Sequence, residues 1–347
     1  MHKRYFLPFL ILLVGLPISL LAQKDPIPVP RKSPAAMVSQ TIGFTDMSIS
    51  YHRPAAKGRV IWGKLVPYNQ MWRSGANEIT SIFFEHEVQI EEKPLPAGTY
   101  GLHILPKENE AWEVVFSSNS TDWGSYNYRE EEDVLRVSVT PTTGNPYQEW
   151  LGYSFNNLSK DGADIQLHWG ELLLSMKVSI DVNKHILAQF REDLRTHAFF
   201  GWQGHYQAAK YCFDEGINQE EAMQWLETSI AREPQYPALL LLSQVLAKEG
   251  KTDESQAAFD SAISLASSKE IYYYTRGMIR GGEADKAIAL MNQVVDRQPD
   301  GWWAYMGLGS AYQKKGDTDM ARKHYEKALA RVSPEFKNRV EAAMKSL

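Results

Sequence analysis

A chain of 347 residues is longer than one hydrophobic core sustains, so two domains are expected. Its 44% hydrophobic and 23% charged residues are ordinary for folded protein and exclude a disordered tail, a collagen and a polytopic membrane protein. A net charge of −5 gives no reason to expect nucleic acid, and the single cysteine, Cys212, excludes an intramolecular disulfide and a multi-cysteine zinc site. Of 17 prolines, 13 lie in the first 146 residues and none between Tyr147 and Glu233, so the two halves of the chain obey different backbone rules.

The first 22 residues read as a secretory signal peptide. His2-Lys3-Arg4 is a short basic start, Phe6 to Leu21 is apolar, and Leu20-Leu21-Ala22 offers a small residue for cleavage. The apolar run is about 16 residues against the roughly 20 that cross hydrocarbon, so no transmembrane segment is expected after cleavage. The protein is therefore expected outside the cytoplasm, in a periplasm or the extracellular space. Pro26, Pro28 and Pro30 make residues 23–32 an extended linker.

Residues 33–181 read as an antiparallel β-sandwich. Short runs such as 47–51, 80–84, 99–105, 112–116, 134–139, 150–155, 165–169 and 172–180 alternate or carry β-branched and aromatic residues. Turn residues separate them and no helical period intervenes, so about nine strands are expected.

Residues 182–201 are expected to hold a connecting helix from Asn183 to His197, with Ile186, Leu187, Phe190 and Leu194 as its apolar stripe. Beyond it the chain repeats. Leu308-Gly309, Tyr312, Ala321, Tyr325 and Ala328 fall in the register of a tetratricopeptide repeat. The earlier equivalents of Ala321 are Ala287, Ser255 and Ala222, and small residues at this phase are needed where the two helices of a unit cross. Four helical repeats over 202–332, closed by a capping helix over 333–347, follow from that period. Cys212 falls at a packed position of the first repeat and is expected to be inert.

The strand half also resembles a known family. Its motif string runs Ser33-Pro34-Ala35-Ala36, Gln40-Thr41-Ile42-Gly43, Tyr51 with Arg53-Pro54, Lys57-Gly58-Arg59 and Ile61-Trp62-Gly63. It continues through Leu65-Val66-Pro67-Tyr68, Trp72-Arg73, Gly75-Ala76-Asn77-Glu78 and Ala97-Gly98-Thr99-Tyr100-Gly101-Leu102. This string resembles the exported bacterial family filed as domain of unknown function 2911. Some of its members carry a helical tail with Ala-Ala-x-Tyr and Glu-Glu-Ala-x-x-Trp, here Ala208 to Tyr211 and Glu220 to Trp225. The resemblance implies export and this architecture, and it assigns no activity.

Chemistry has to be read from residues. Arg53, Lys57, Arg59, Arg73, Asn77 and Glu78 crowd two loops rich in glycine and proline. Guanidinium groups there suit a small anionic ligand, held bidentately. The alternative is an internal network in which Arg53 or Arg73 pairs with Glu78 and the loop carbonyls. Glu78 is the one weak catalytic candidate, for a hydrolase acting on an envelope or extracellular glycan or ester. Trp123, in a polar stretch, is the candidate for an exposed carbohydrate-binding aromatic, while the other tryptophans of this half are expected in the core. His52, His86, His103 and His168 show no short metal-ligand spacing, so neither metal nor cofactor is expected.

The first helix of each repeat supplies the stronger surface. By register Gln207 and Tyr211; Leu240, Gln244 and Lys248; Tyr272, Arg276, Ile279 and Arg280; and Trp303, Met306, Gln313 and Lys314 face a groove. That aromatic and basic groove suits a protein or extended peptide partner with acidic residues or a free C-terminal carboxylate, although the paired asparagines of the usual tetratricopeptide carboxylate clamp are absent. The function expected from sequence is an exported, non-catalytic binding or scaffold protein.

Overall fold

The computed structural model describes residues 29–347, and the chain divides between Ile180 and Asp181 into two units. The expected leader and residues 23–28 of the linker lie outside the described residues.

In the first unit, period-two patterning builds two antiparallel sheets. The six-stranded sheet has the order β1 (Ala35–Ile42), β2 (Thr45–His52), β3 (Thr80–Phe84), β6 (Gly98–Leu105), β7 (Trp112–Ser117) and β8 (Asp133–Val139). The five-stranded sheet has the order β5 (Lys93–Leu95), β4 (Val88–Ile90), β11 (Leu172–Ser179), β10 (Gly162–Gly170) and β9 (Gln148–Asn156). Met47, Ile49 and Tyr51 of β2 are buried, as are Leu174, Met176 and Val178 of β11, while the residues between them are more exposed. Each sheet therefore turns one apolar face to the core.

Among the described residues eleven strands are present where about nine were expected. The edge strand β1 escaped the sequence reading because only Ile42 is buried along it, so its composition need not alternate. β4 and β5 are three residues each, too short to show a period.

The long connection between β2 and β3 lies against both sheets. Ala55 bridges to Trp150 of β9, and Trp72 bridges to Ile104 of β6. It carries Trp62 and Trp72 in between Trp112 of β7 and Trp169 of β10. Trp62 is the hub, with ring centroids 4.8 Å from Trp112, 5.7 Å from Trp72 and 5.9 Å from Trp169, all edge to face. Trp112 donates to the Lys107 carbonyl at 2.9 Å, Trp169 to that of Glu149 at 3.2 Å and Trp72 to that of Gly75 at 3.1 Å. The buried Nε1 of Trp62 has no hydrogen-bond partner among the described residues.

The second unit is helical. α1 (Val182–Asp193) ends four residues before the expected helix, and a short 3-10 turn, His197–Phe199, follows. Asp181 caps the start of α1 by accepting the Lys184 N–H at 3.0 Å. Of the expected stripe, Ile186 and Leu194 are buried, while Phe190 meets Tyr211 and Trp225 edge to face.

Four helix pairs follow: α2 (Trp202–Glu215) with α3 (Gln219–Arg232), α4 (Tyr236–Lys248) with α5 (Thr252–Leu265), α6 (Ser268–Arg280) with α7 (Ala284–Arg297), and α8 (Trp302–Lys315) with α9 (Thr318–Leu329). Ala222, Ala287 and Ala321 are fully buried at the helix crossings. In the second pair the equivalent Ser255 instead donates to the Ser243 carbonyl at 2.8 Å. A Cβ at Gly309 would lie 2.5 Å from the Tyr325 ring, so this crossing admits no larger residue without moving the ring. α2 and α8 end on left-handed glycines, Gly216 and Gly316, which a side chain would disfavour. α10 (Lys337–Lys345) closes the array with Val340 fully buried.

α6 starts with a full capping box, Ser267 accepting from the Glu270 N–H and Glu270 accepting from the Ser267 N–H at 2.8 Å. Ser267→Ala is expected to cost the helical unit about 1 kcal/mol, read as a lowered urea midpoint at unchanged slope. A midpoint equal to that of the parent chain would show that the box adds nothing.

Candidate functional site

The loop between β2 and β3 also walls a cavity of about 780 Å³ in the first unit. Lys57 takes a positive φ of 51° and Gly58 one of 69°, a tight turn that sets Lys57 at the rim. The Lys57 N–H is spent on Glu149, donating to its carboxylate at 2.8 Å. Arg59 is aimed by its own turn, with Nε donating to the Ala56 carbonyl at 2.9 Å and Nη2 to that of Ala55 at 2.7 Å. Arg73 lines the same cavity, and its buried Nε has no hydrogen-bond partner among the described residues. Its Nη1 passes 3.1 Å from where a Cβ would stand on Gly124, so the 122–128 loop is closely laid over this guanidinium.

Sequence reasoning found three of the cationic lining residues and missed Lys32, which also lines the cavity. It also missed the aromatic wall of Trp72, Trp169 and Tyr126, because these come from a loop, a strand and a second loop far apart in the chain. The only local signal was Trp72 beside Arg73.

The remaining members of the expected cluster stand elsewhere. Arg53 is tied inward, its Nε donating to the Leu151 carbonyl at 2.8 Å, and Asn77 donates to the Ser33 carbonyl at 3.2 Å. Glu78 pairs with neither Arg53 nor Arg73, contrary to the expected network. It takes both oxygens to Arg31, at 2.6 and 2.5 Å, and lies 3.3 Å from Nδ1 of His52. The Arg31 guanidinium holds the Glu78 carboxyl below its ordinary range, and the residue opens on a different, shallow surface with Met37 and His52. The sequence reading failed here because Arg31 lies in the expected linker, outside the motif string. Glu78 lines a different surface from Arg59 and Arg73. Trp123 is 56% exposed as expected, with Arg31 lying 5.7 Å over its ring.

The histidines are separated. His103 is buried with Nδ1 2.9 Å from Ser125 Oγ, and His52 stands at Glu78. Among the described residues no group of three histidine, cysteine or acidic side chains is placed to hold a metal ion. Cys212 is fully buried, and burial pushes its thiol up to about 11.

Of the groove candidates in the second unit, Gln207, Gln244, Lys248, Arg276, Arg280 and Lys314 are exposed. Arg276 lies 5.9 Å from the rings of Tyr272 and Tyr273. Five candidates are corrected. Tyr272 and Trp303 are buried, with Arg339 of α10 lying over both rings and Phe336 packed on Trp303. Tyr211 is half-buried and hydrogen-bonds Asn183 of α1 at 3.1 Å. Ile279 and Met306 likewise belong to the core. Register placed these side chains on the first helices correctly, but α1 and α10 cover the array's two ends. An open hollow of about 550 Å³ remains between α4 and α6, with Leu240, Lys269 and Tyr273 among its walls.

Residues 33–178 match the family model described as Protein of unknown function (DUF2911). The first unit is a DUF2911 domain. Tetratricopeptide repeat models match residues 236–269 and 279–335, downstream of the DUF2911 domain as expected. No curated protein matches the chain. Among solved structures it is similar to one titled "Crystal structure of MamA protein", at 23% identity and a TM-score of 0.28, covering 43% of this chain and 81% of that one. A similar likeness is to YrrB, titled a TPR protein with an unusual peptide-binding site, at 17% identity and a TM-score of 0.29, over 47% and 84% of the two chains. MamA from Desulfovibrio magneticus RS-1 is similar at 20% identity and a TM-score of 0.26, over 42% and 88%. At these scores the repeat assignment rests on the family models and the helix pairing.

Proposed function

We propose that the chain is an exported, non-catalytic binding protein. Its helical repeats recognise an extended, acidic segment of a partner protein, and its DUF2911 domain acts as a ligand-recognition or docking module. Export rests on the sequence pattern of residues 1–22. Tetratricopeptide repeats support a protein-interaction scaffold, and their exposed first-helix surface supports the acidic character of the partner.

The observation that carries the reading is a contrast in pairing. Some cations of the helical unit are matched to acids, as in Arg191 with Glu221 at 2.7 Å, Lys210 with Asp214 at 2.6 Å and Lys286 with Glu283 at 3.4 Å. Among the described residues no carboxylate pairs with Lys248, Arg276, Arg280 or Lys314. Unmatched cations on one face attract an acidic chain and speed its capture.

The test is capture from envelope extract by the full chain and by a variant carrying Arg276→Glu, Arg280→Glu and Lys314→Glu. The variant is expected to lose a partner by at least about tenfold, since each 1.4 kcal/mol of lost interaction is a factor of ten. The same partner should fade as salt is raised. An unchanged set of partners would remove the groove as the binding surface.

A further inference from the structure

The cavity of the DUF2911 domain has the construction of a small-molecule site, and its chemistry names a class of ligand. At about 780 Å³ it lies within the roughly 300–1,000 Å³ of such pockets and far exceeds the needs of a lone inorganic ion. Four cations line it, Lys32, Lys57, Arg59 and Arg73, and among the described residues no carboxylate does. Like charges gathered in a partly enclosed hollow repel one another, and an anion relieves that repulsion.

Arg73 sharpens the point. Its Nε is buried and makes no hydrogen bond among the described residues, which leaves a charged donor unsatisfied at the wall. Arg59 is already aimed, since two backbone carbonyls hold its Nε and Nη2. Both guanidiniums line the cavity, and together they suit the oxygens of a carboxylate or phosphate. The opposite requirement comes from the apolar wall. Trp72 and Trp169 stand nearly parallel, 22° apart with centroids 6.2 Å apart, and Tyr126, 84% exposed, stands at the rim. Aromatic faces of this kind take the flat side of a ring.

We propose that the cavity binds a small organic anion built on a ring, with its carboxylate or phosphate between Arg59 and Arg73 and its ring against Trp72. The inference rests on the reading of the DUF2911 domain as a ligand-recognition module and is independent of what the repeats capture.

Calorimetric titration of the full chain at low salt tests it, using glucuronate, glucose phosphorylated at its primary hydroxyl, glucose and inorganic phosphate as probes. At least one of the two ring anions is expected to bind, and the tighter of them tells carboxylate from phosphate. Glucose, which lacks the charge, and inorganic phosphate, which lacks the ring, are expected to bind about tenfold more weakly or worse. Lys57→Gln and Arg73→Gln should each weaken the ring anion about tenfold, while Lys64→Gln, an exposed lysine outside the lining, should not. Lys57 is exposed, so its variant keeps the test valid if Arg73→Gln disturbs folding. Binding of neither ring anion, or equal behaviour of the Lys57 and Lys64 variants, would overturn the site. The repeat variant with three reversed charges should bind the ring anion as the parent does, so failure here and failure of partner capture are told apart.

Discussion

Trp169→Ala is expected to destabilise the DUF2911 domain by about 3–5 kcal/mol, the usual range for removing a buried aromatic side chain. Trp169 is 1% exposed and touches both loop tryptophans, so its loss leaves a void between the two sheets that no neighbour can fill without dragging the β2–β3 loop inward. Its indole N–H also ties β10 to the Glu149 carbonyl of β9. The effect should appear as a lowered denaturant midpoint in tryptophan fluorescence, with loss of the near-ultraviolet signal of stacked indoles. Trp62→Phe is the contrast. It deletes a buried N–H that has no partner, so part of the lost packing is offset and the cost should be clearly smaller. If both substitutions cost under 1 kcal/mol, the cluster is not the keystone between the sheets.

Acidification should weaken the same domain through His103. Burial pushes its pKa down from 6.5 to about 4, while the carboxylates of Asp133 and Asp122 pull the other way. The unfolded chain takes up the proton near pH 6.5 and the folded one does so only near pH 4. The contribution is therefore full above about pH 6.5, falls with pH across that window and levels off below it. At pH 5 the loss from this residue alone is about 2 kcal/mol. Protonation would also disturb the contact with Ser125, which lines the cavity. Stability measured against pH for the parent and for His103→Gln should diverge between pH 7 and 4, the parent falling more steeply. Parallel curves would show that His103 titrates normally. His324 is likewise lowered to about 4 by burial, so a similar decline is expected in the helical unit and serves as the common background.

Much of the fold was legible because it rests on periods. Alternation along β2, β10 and β11, and the recurrence of Ala222, Ala287 and Ala321, are local consequences of a sheet face and of a helix crossing. Such patterns survive in the chain whatever surrounds them. β1 was missed for the converse reason, since an edge strand with little burial leaves no period to read. The functional surface was read less well. Charge density along the chain pointed to the right loops, and three of its cations do line the cavity. It could not show that Glu78 answers to Arg31, or that Arg53 is tied inward to Leu151, because these pairings join positions 47 and 98 residues apart.

By itself, then, the amino-acid order determined two units of different construction and which loops and helices carry cations. Proline crowds the first half because strands and linkers tolerate it and helix interiors do not. Only the tertiary structure decided which of those cations are free to act. It placed Arg59 and Arg73 in one hollow, spent Arg53 on a carbonyl, and used α1 and α10 to cover Tyr211, Tyr272 and Trp303. A charge or ring is available to a ligand only when nothing nearer has claimed it, and nearness in space is what folding adds to order along the chain.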